Sequence, residues 1–111
     1  MTKQFPDCCD FIAKYGCDSI MTADFAQCTT FQYLDKKLVL LTDSYDYIDV
    51  KLFLNDNLIT HVYDEGIERI VLLDDKVQVF FKNPIALFDQ KIFEIVINPH
   101  FMVNSITMRS D

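Results

Sequence analysis

The sequence has only two glycines, Gly16 and Gly66, fifty residues apart, and no tryptophan. Glycines so sparse exclude the glycine-rich loops that cradle nucleotide phosphates, which need several in one turn. Arginine is almost as scarce, with Arg69 and Arg109 alone in 111 residues. Bidentate reading of guanine and dense phosphate contacts are therefore out of reach, and direct nucleic-acid binding is not expected. Long apolar runs are also missing. The longest span four residues, such as 38–41 and 70–73, far short of the roughly 18–20 that a membrane-crossing helix requires. Acidic residues stand in 1–11 where a signal peptide would have its apolar core. The expectation is a cytoplasmic chain, neither secreted nor transmembrane, with reduced thiols.

Recognisable sites of chemistry are absent too. Cys8, Cys9, Cys17 and Cys28 include no C-x-x-C pair, and His61 and His100 lie far from them. A zinc knuckle needs two ligands separated by two to four residues so that both side chains turn toward one ion. No metal and no cofactor are expected. In an oxidising compartment the four cysteines would allow three disulfide pairings, with nothing in the spacing to choose among them. The segment 43–49 lacks the D-x-D-x-D-G pattern of a calcium loop, and no serine sits in a G-x-S-x-G elbow. The chain reads as a non-enzyme. The enzymatic alternative that survives is a small cysteine-dependent one, with a thiolate beside His61 or His100.

What the sequence does have is hydrophobic mass and acid. Half of its residues are hydrophobic and 14% are aromatic, a composition that excludes disorder and fits a single globular domain over 1–111. The formal net charge is −7, and of the 17 acidic residues 14 are Asp. Asp competes with the helical backbone through local hydrogen bonds, so the bias points to turns and caps rather than helix interiors. The imbalance is confined. Residues 1–42 carry four Lys against five Asp, and 76–111 carry four basic residues against three acids. Residues 43–75 hold nine acids against Lys51 and Arg69.

The pattern along the chain implies an α+β fold: an antiparallel β-meander sheet of five to seven strands, with a short helical N-terminal region packed on one face. Residues 1–29 read as helical or irregular. Asp7 caps a helix running through Tyr15, with Phe11, Ile12 and Tyr15 on one side and Gly16 as its stop. Asp18 or Thr22 is placed to cap a second helix running toward Cys28. From residue 30 to 108 the hydrophobic period is two. Strands are expected over 31–34, 38–42, 47–54, 58–63, 67–73, 77–82 and 92–98, with 101–108 as an edge strand or tail. They are joined at 35–37, 55–57, 64–66 and 74–76, rich in Asp, Asn and Gly as turns require. Asn83-Pro84 ends one strand and starts a helical turn through Phe88. Several strands are apolar on both faces, so one sheet face must meet more than solvent. A homodimer through the last strands answers that need, and so does complete cover by the N-terminal segment.

A meander places alternate turns at one end of the sheet. Asp43, Asp46, Asp64, Glu65 and Asp89 then gather at one end, and Asp56, Asp74 and Asp75 at the other. The surface expected to bind a partner comprises Asp43, Tyr45, Asp46, Tyr47, Asp49, Asp64, Glu65, Asp74 and Asp75. Spaced carboxylates with interleaved tyrosines suit a basic protein surface, and aromatics are common at interface cores. Carboxylates on alternate strand residues lie about 6.6–7 Å apart, near the phosphate spacing of a nucleic-acid strand, which makes a nucleic-acid mimic conceivable. In size, Asp excess and lack of catalytic motifs, the chain resembles the small acidic proteins that viruses and mobile elements direct against host nucleic-acid machinery. That resemblance implies an inhibitor or adaptor that occludes a nucleic-acid-handling partner in the host-cell cytoplasm. The alternative in another class is a structural subunit of a larger assembly, such as a viral particle, with an apolar sheet face as its contact.

Overall fold

The computed structural model describes residues 5–23, 26–43, 47–82, 90–98 and 100–108. One short helix, α1 (Cys8–Tyr15), precedes nine strands: β1 (Asp18–Met21), β2 (Gln27–Tyr33), β3 (Lys36–Thr42), β4 (Tyr47–Leu54), β5 (Asn57–Glu65), β6 (Ile67–Leu72), β7 (Lys76–Phe81), β8 (Gln90–Val96) and β9 (Met102–Met108). The α1 boundaries follow from its caps. Asp7 accepts from the Asp10 backbone N–H at 3.0 Å, and Asp10 returns the bond from the Asp7 N–H at 2.9 Å. This reciprocal pair satisfies two of the donors that a helix start leaves open. Gly16 ends the helix in the left-handed region at φ 65°, where a Cβ would be strained. Phe11 is buried in the core as expected, but Ile12 faces solvent.

The expected single sheet is two. β1 to β5 form one antiparallel sheet in sequence order, and β6 to β9 form the other. The division falls at Gly66. Residues 64–66 were expected to be a hairpin turn, but β5 continues through Glu65. The chain then passes Gly66 at φ 81° and enters the second sheet at Ile67, which is fully buried. Among the described residues the second expected helix is also absent. Asp18–Met21 is instead an edge strand paired with 27–30 of β2, so the sheet begins at residue 18 rather than 30. Ser19 and Thr29 share a buried hydrogen bond of 2.8 Å across that pair, a long-range contact that outweighs the capping tendency of Asp18.

The inner faces of the two sheets meet in one core. Phe31, Leu38, Leu40, Ile48, Val50 and Leu52 come from the first, and Ile67, Ile70, Val77, Val79, Phe81, Phe93 and Ile95 from the second. Phe11 of α1 joins them. This is sheet-on-sheet packing, in which alternate residues of each strand point inward. The apolar faces for which a second copy or a helical cover was expected thus meet each other. The β4–β5 hairpin turns as its residues dictate. Asn55 and Asp56 both take positive φ, 51° and 65°, as a two-residue type I′ connection requires. The β2–β3 turn places Leu34 at φ 57°, a conformation that disfavours a Cβ-bearing apolar residue. The expected helical turn after Pro84 lies outside the described residues.

Candidate partner-binding face

Along β4, Ile48, Val50 and Leu52 point into the core, so Tyr47, Asp49, Lys51 and Phe53 project from the opposite, outer face. The β4–β5 register sets Glu65 opposite Tyr47, Tyr63 opposite Asp49 and His61 opposite Lys51. A bulge between Leu52 and Phe53 shifts the register beyond them. On this face the rings of Tyr47 and Tyr63 stack with centroids 5.7 Å apart. The Tyr63 hydroxyl donates to Glu65 Oε1 at 2.8 Å, and His61 Nε2 lies 2.7 Å from Asp49 Oδ1. Lys37 Nζ sits 5.2 Å from the Phe53 ring centre. The result is an aromatic patch on which Asp49 and Glu65 stand alongside Lys37 and Lys51. Glu65 is exposed, whereas the Asp49 side chain retains 18% of its exposure beneath His61.

The remaining expected site residues have separate placements. Asp43 Oδ1 accepts from the Tyr47 N–H at 3.3 Å, and Thr42 Oγ1 donates to the Tyr47 carbonyl at 2.6 Å, so both fix the entry to β4. Asp64 points to the inner side of β5, where it pairs with Lys91 of the second sheet. Lys91 Nζ also lies 5.0 Å from the Phe93 ring centre and 5.5 Å from that of Phe81. Asp64 therefore ties the two sheets together and does not share the face of Asp49 and Glu65. Asp74 and Asp75 stand at the opposite end of the sandwich, in the β6–β7 turn. Asp74 accepts from Lys14 at 2.6 Å, and that bond holds its carboxyl below the usual carboxylate range. Tyr45 and Asp46 lie outside the described residues, as does Asp89. Of the expected set, the fold brings together Tyr47, Asp49 and Glu65, with Asp43 at their edge. It adds His61 and Tyr63, which strand alternation alone would have assigned to the same face once β5 was read through to Glu65.

The four cysteines are free thiols. Cys17 Sγ donates to the Phe11 carbonyl at 3.5 Å, and burial pushes its thiol pKa up, which disfavours the nucleophilic thiolate. Among the described residues no group of three or more His, Cys, Asp or Glu is placed to hold a metal ion. Nor is any helix among them long and apolar enough to cross a membrane.

No protein-family model and no curated protein matches the sequence. A solved structure does match the fold: a chain of the contact-dependent growth inhibition toxin–immunity protein complex from Klebsiella pneumoniae 342. The two chains superpose with a TM-score of 0.75 over 96% of this chain and 97% of that one, at 14% sequence identity. At that identity the likeness is one of architecture, carried by two sheets and a helix rather than by shared side chains.

Proposed function

We propose that this chain is a non-enzymatic, acidic inhibitor of the immunity type, which binds a basic surface of a protein partner and occludes it. The observation that carries the reading is the outer face of β4 and β5, where Tyr47, Tyr63, His61 and Asp49 form an aromatic patch with Glu65 at its rim. Two further features support it. Of the nine acids concentrated in 43–75, Asp49 and Glu65 stand on this face and Asp43 at its edge. The fold matches a chain from a complex of a toxin with its immunity protein, and each member of such a complex binds a protein. A partner that handles nucleic acid would supply the basic surface, because phosphate-binding grooves are lined with Lys and Arg. Charge then sets the association rate, and the tyrosine rings set the lifetime of the complex.

The test is capture of the partner from extracts of the native host by the immobilised chain. Glu65→Lys with Asp49→Lys should weaken capture by about tenfold or more, since each change removes an attraction and adds a repulsion. Asp35→Lys with Asp75→Lys makes the same change in net charge at the other end of the sandwich and should leave capture nearly intact. Equal loss from both pairs would reduce the face to bulk electrostatics. Loss from neither would remove it as the working surface.

A further inference from the structure

At the far end of the sandwich from Glu65, the β2–β3 hairpin and the β8–β9 connection stand apart and leave a pocket of about 420 Å³. Tyr15 and Phe31 meet there edge to face with ring centres 5.4 Å apart. Tyr33, Ile97 and Phe101 add further apolar lining. The volume falls within the range of about 300–1,000 Å³ typical of small-molecule sites, and rings with a few polar groups are their usual lining. The charge of the lining runs against that of the chain. The sequence has 17 acidic residues against 10 basic ones, yet the charged or titratable side chains at the wall, apart from the phenols and a thiol, are Lys36 and His100, with no carboxylate.

We propose that this pocket binds a small ring-bearing carboxylate, the ring lying among Phe31, Tyr33 and Phe101 and the carboxylate held by Lys36 and His100. Neither side chain is committed elsewhere: among the described residues Lys36 and His100 form no ion pair. The nearest acids have other placements. Asp35 lines a separate cavity of about 150 Å³ with Asn55 and Asp56, Asp74 is bound to Lys14, and Asp75 is exposed outside the lining, although its charge and that of Asp74 are felt by Tyr15. The inner wall is neutral. The Tyr15 hydroxyl donates to the Leu73 carbonyl at 2.5 Å and lies 3.1 Å from that of Lys76. Burial holds the protons of Tyr15 and Cys17 firmly in place. A carboxylate entering the pocket therefore meets the Lys36 ammonium and the His100 imidazole at the wall, aromatic faces around it and no buried negative group. A cationic ligand would bring a second positive charge to the wall that carries Lys36.

The absence of tryptophan gives the experiment a clear window, because tyrosine emission and the aromatic proton signals are not masked by indole. The probes are 3-phenylpropionate, the corresponding alcohol 3-phenylpropanol and the corresponding amine 3-phenylpropylamine, titrated into the full chain and followed by NMR. The acid is expected to saturate with shifts centred on Phe31, Tyr33 and Phe101, and the amine to bind about tenfold more weakly or worse, as when a charge-assisted hydrogen bond becomes a repulsion. Lys36→Met should weaken the acid severalfold and leave the alcohol unchanged, which separates loss of the charge from loss of the fold. Glu65→Lys should leave all three titrations unchanged, so the pocket stands or fails apart from the partner-binding face. A peptide ending in phenylalanine with a free carboxyl group identifies the source of the ligand: tighter binding than the free acid assigns the pocket to a chain terminus, and weaker binding to a free metabolite. Equal binding of acid and amine, shifts centred outside the pocket, or no saturation by the acid would overturn the proposal.

Discussion

The two ends of the sandwich are built from the same kind of acidic, turn-forming residues and use them differently. At the end that carries Glu65, the carboxylates are drawn into structure. Asp43 fixes the start of β4, Asp49 lies against His61, and Asp64 reaches across to Lys91. At the end that carries the pocket, Asp35, Asp56 and Asp75 are exposed, Asp74 holds Lys14, and the pocket wall is lined without a carboxylate. Net charge is thus a poor guide to what a given surface offers. The difference arises from register, because each carboxylate acts according to the face and the end on which strand pairing leaves it.

The comparison breaks most severely if the helix that closes the pocket end is undermined. Phe11 is buried to 2% exposure in the shared core, and Phe11→Ala should cost about 3–5 kcal/mol in chemical denaturation, the range for emptying a large core position. Loss should be global, because Phe11 touches a core that both sheets share. A result below about 1 kcal/mol would mean that α1 caps the sandwich without holding it together. Leu34 offers a change in the opposite direction. It is 79% exposed at φ 57°, so Leu34→Gly should stabilise the fold by about 0.5–1 kcal/mol in thermal unfolding by removing a strained conformation. If stability is unchanged while a binding property is lost, the leucine is kept for contact rather than for the turn.

The smallest expected effect is in acid. Glu94 accepts from Gln78 and Lys76, each at 2.9 Å, and these bonds hold its carboxyl below its ordinary value of 4.5. Its folded pKa is depressed, so its stabilisation is fully present above the unfolded value and is lost as pH falls through the folded one. Asp74, bound to Lys14, acts with the same sign from an ordinary value of 3.8. Unfolding measured from pH 6 downward should show stability falling below about pH 4.5, and Glu94→Gln should flatten that fall. An unchanged acid profile in Glu94→Gln would remove this residue from the acid response.

Legibility in the sequence followed the range of the interactions. The α1 boundaries were readable because Asp7, Asp10 and Gly16 act within one or two turns. The β4–β5 hairpin was readable because Asn55 and Asp56 determine their own backbone. β1 was missed, since four residues beginning with Asp carry a cap signal, and only the pairing with β2 overrides it. The second sheet was missed because a hairpin turn and a change of sheet look alike over three residues. The glycine at position 66 was the available clue. Within the candidate face, reading β5 as ending at Tyr63 left Asp64 and Glu65 in one turn, whereas strand alternation sends them to opposite faces. The pocket left no sequence signal, because its wall is assembled from α1, β2, β3 and the β8–β9 connection, and no periodicity links them.

The Gly66 corner has a consequence for how the chain reaches this structure. Among the described residues no strand crosses from one sheet to the other, and every pairing joins strands that are consecutive in sequence. Each sheet is therefore an uninterrupted stretch of chain, and each hairpin closes only a short loop, which keeps the entropy cost of the search low for an all-antiparallel protein. All residues of the first sheet precede those of the second in the chain, so its inner face has no partner until β6 to β9 follow. During that interval the acid of 43–75, whatever it later binds, gives the growing chain a strongly negative middle segment that opposes self-association.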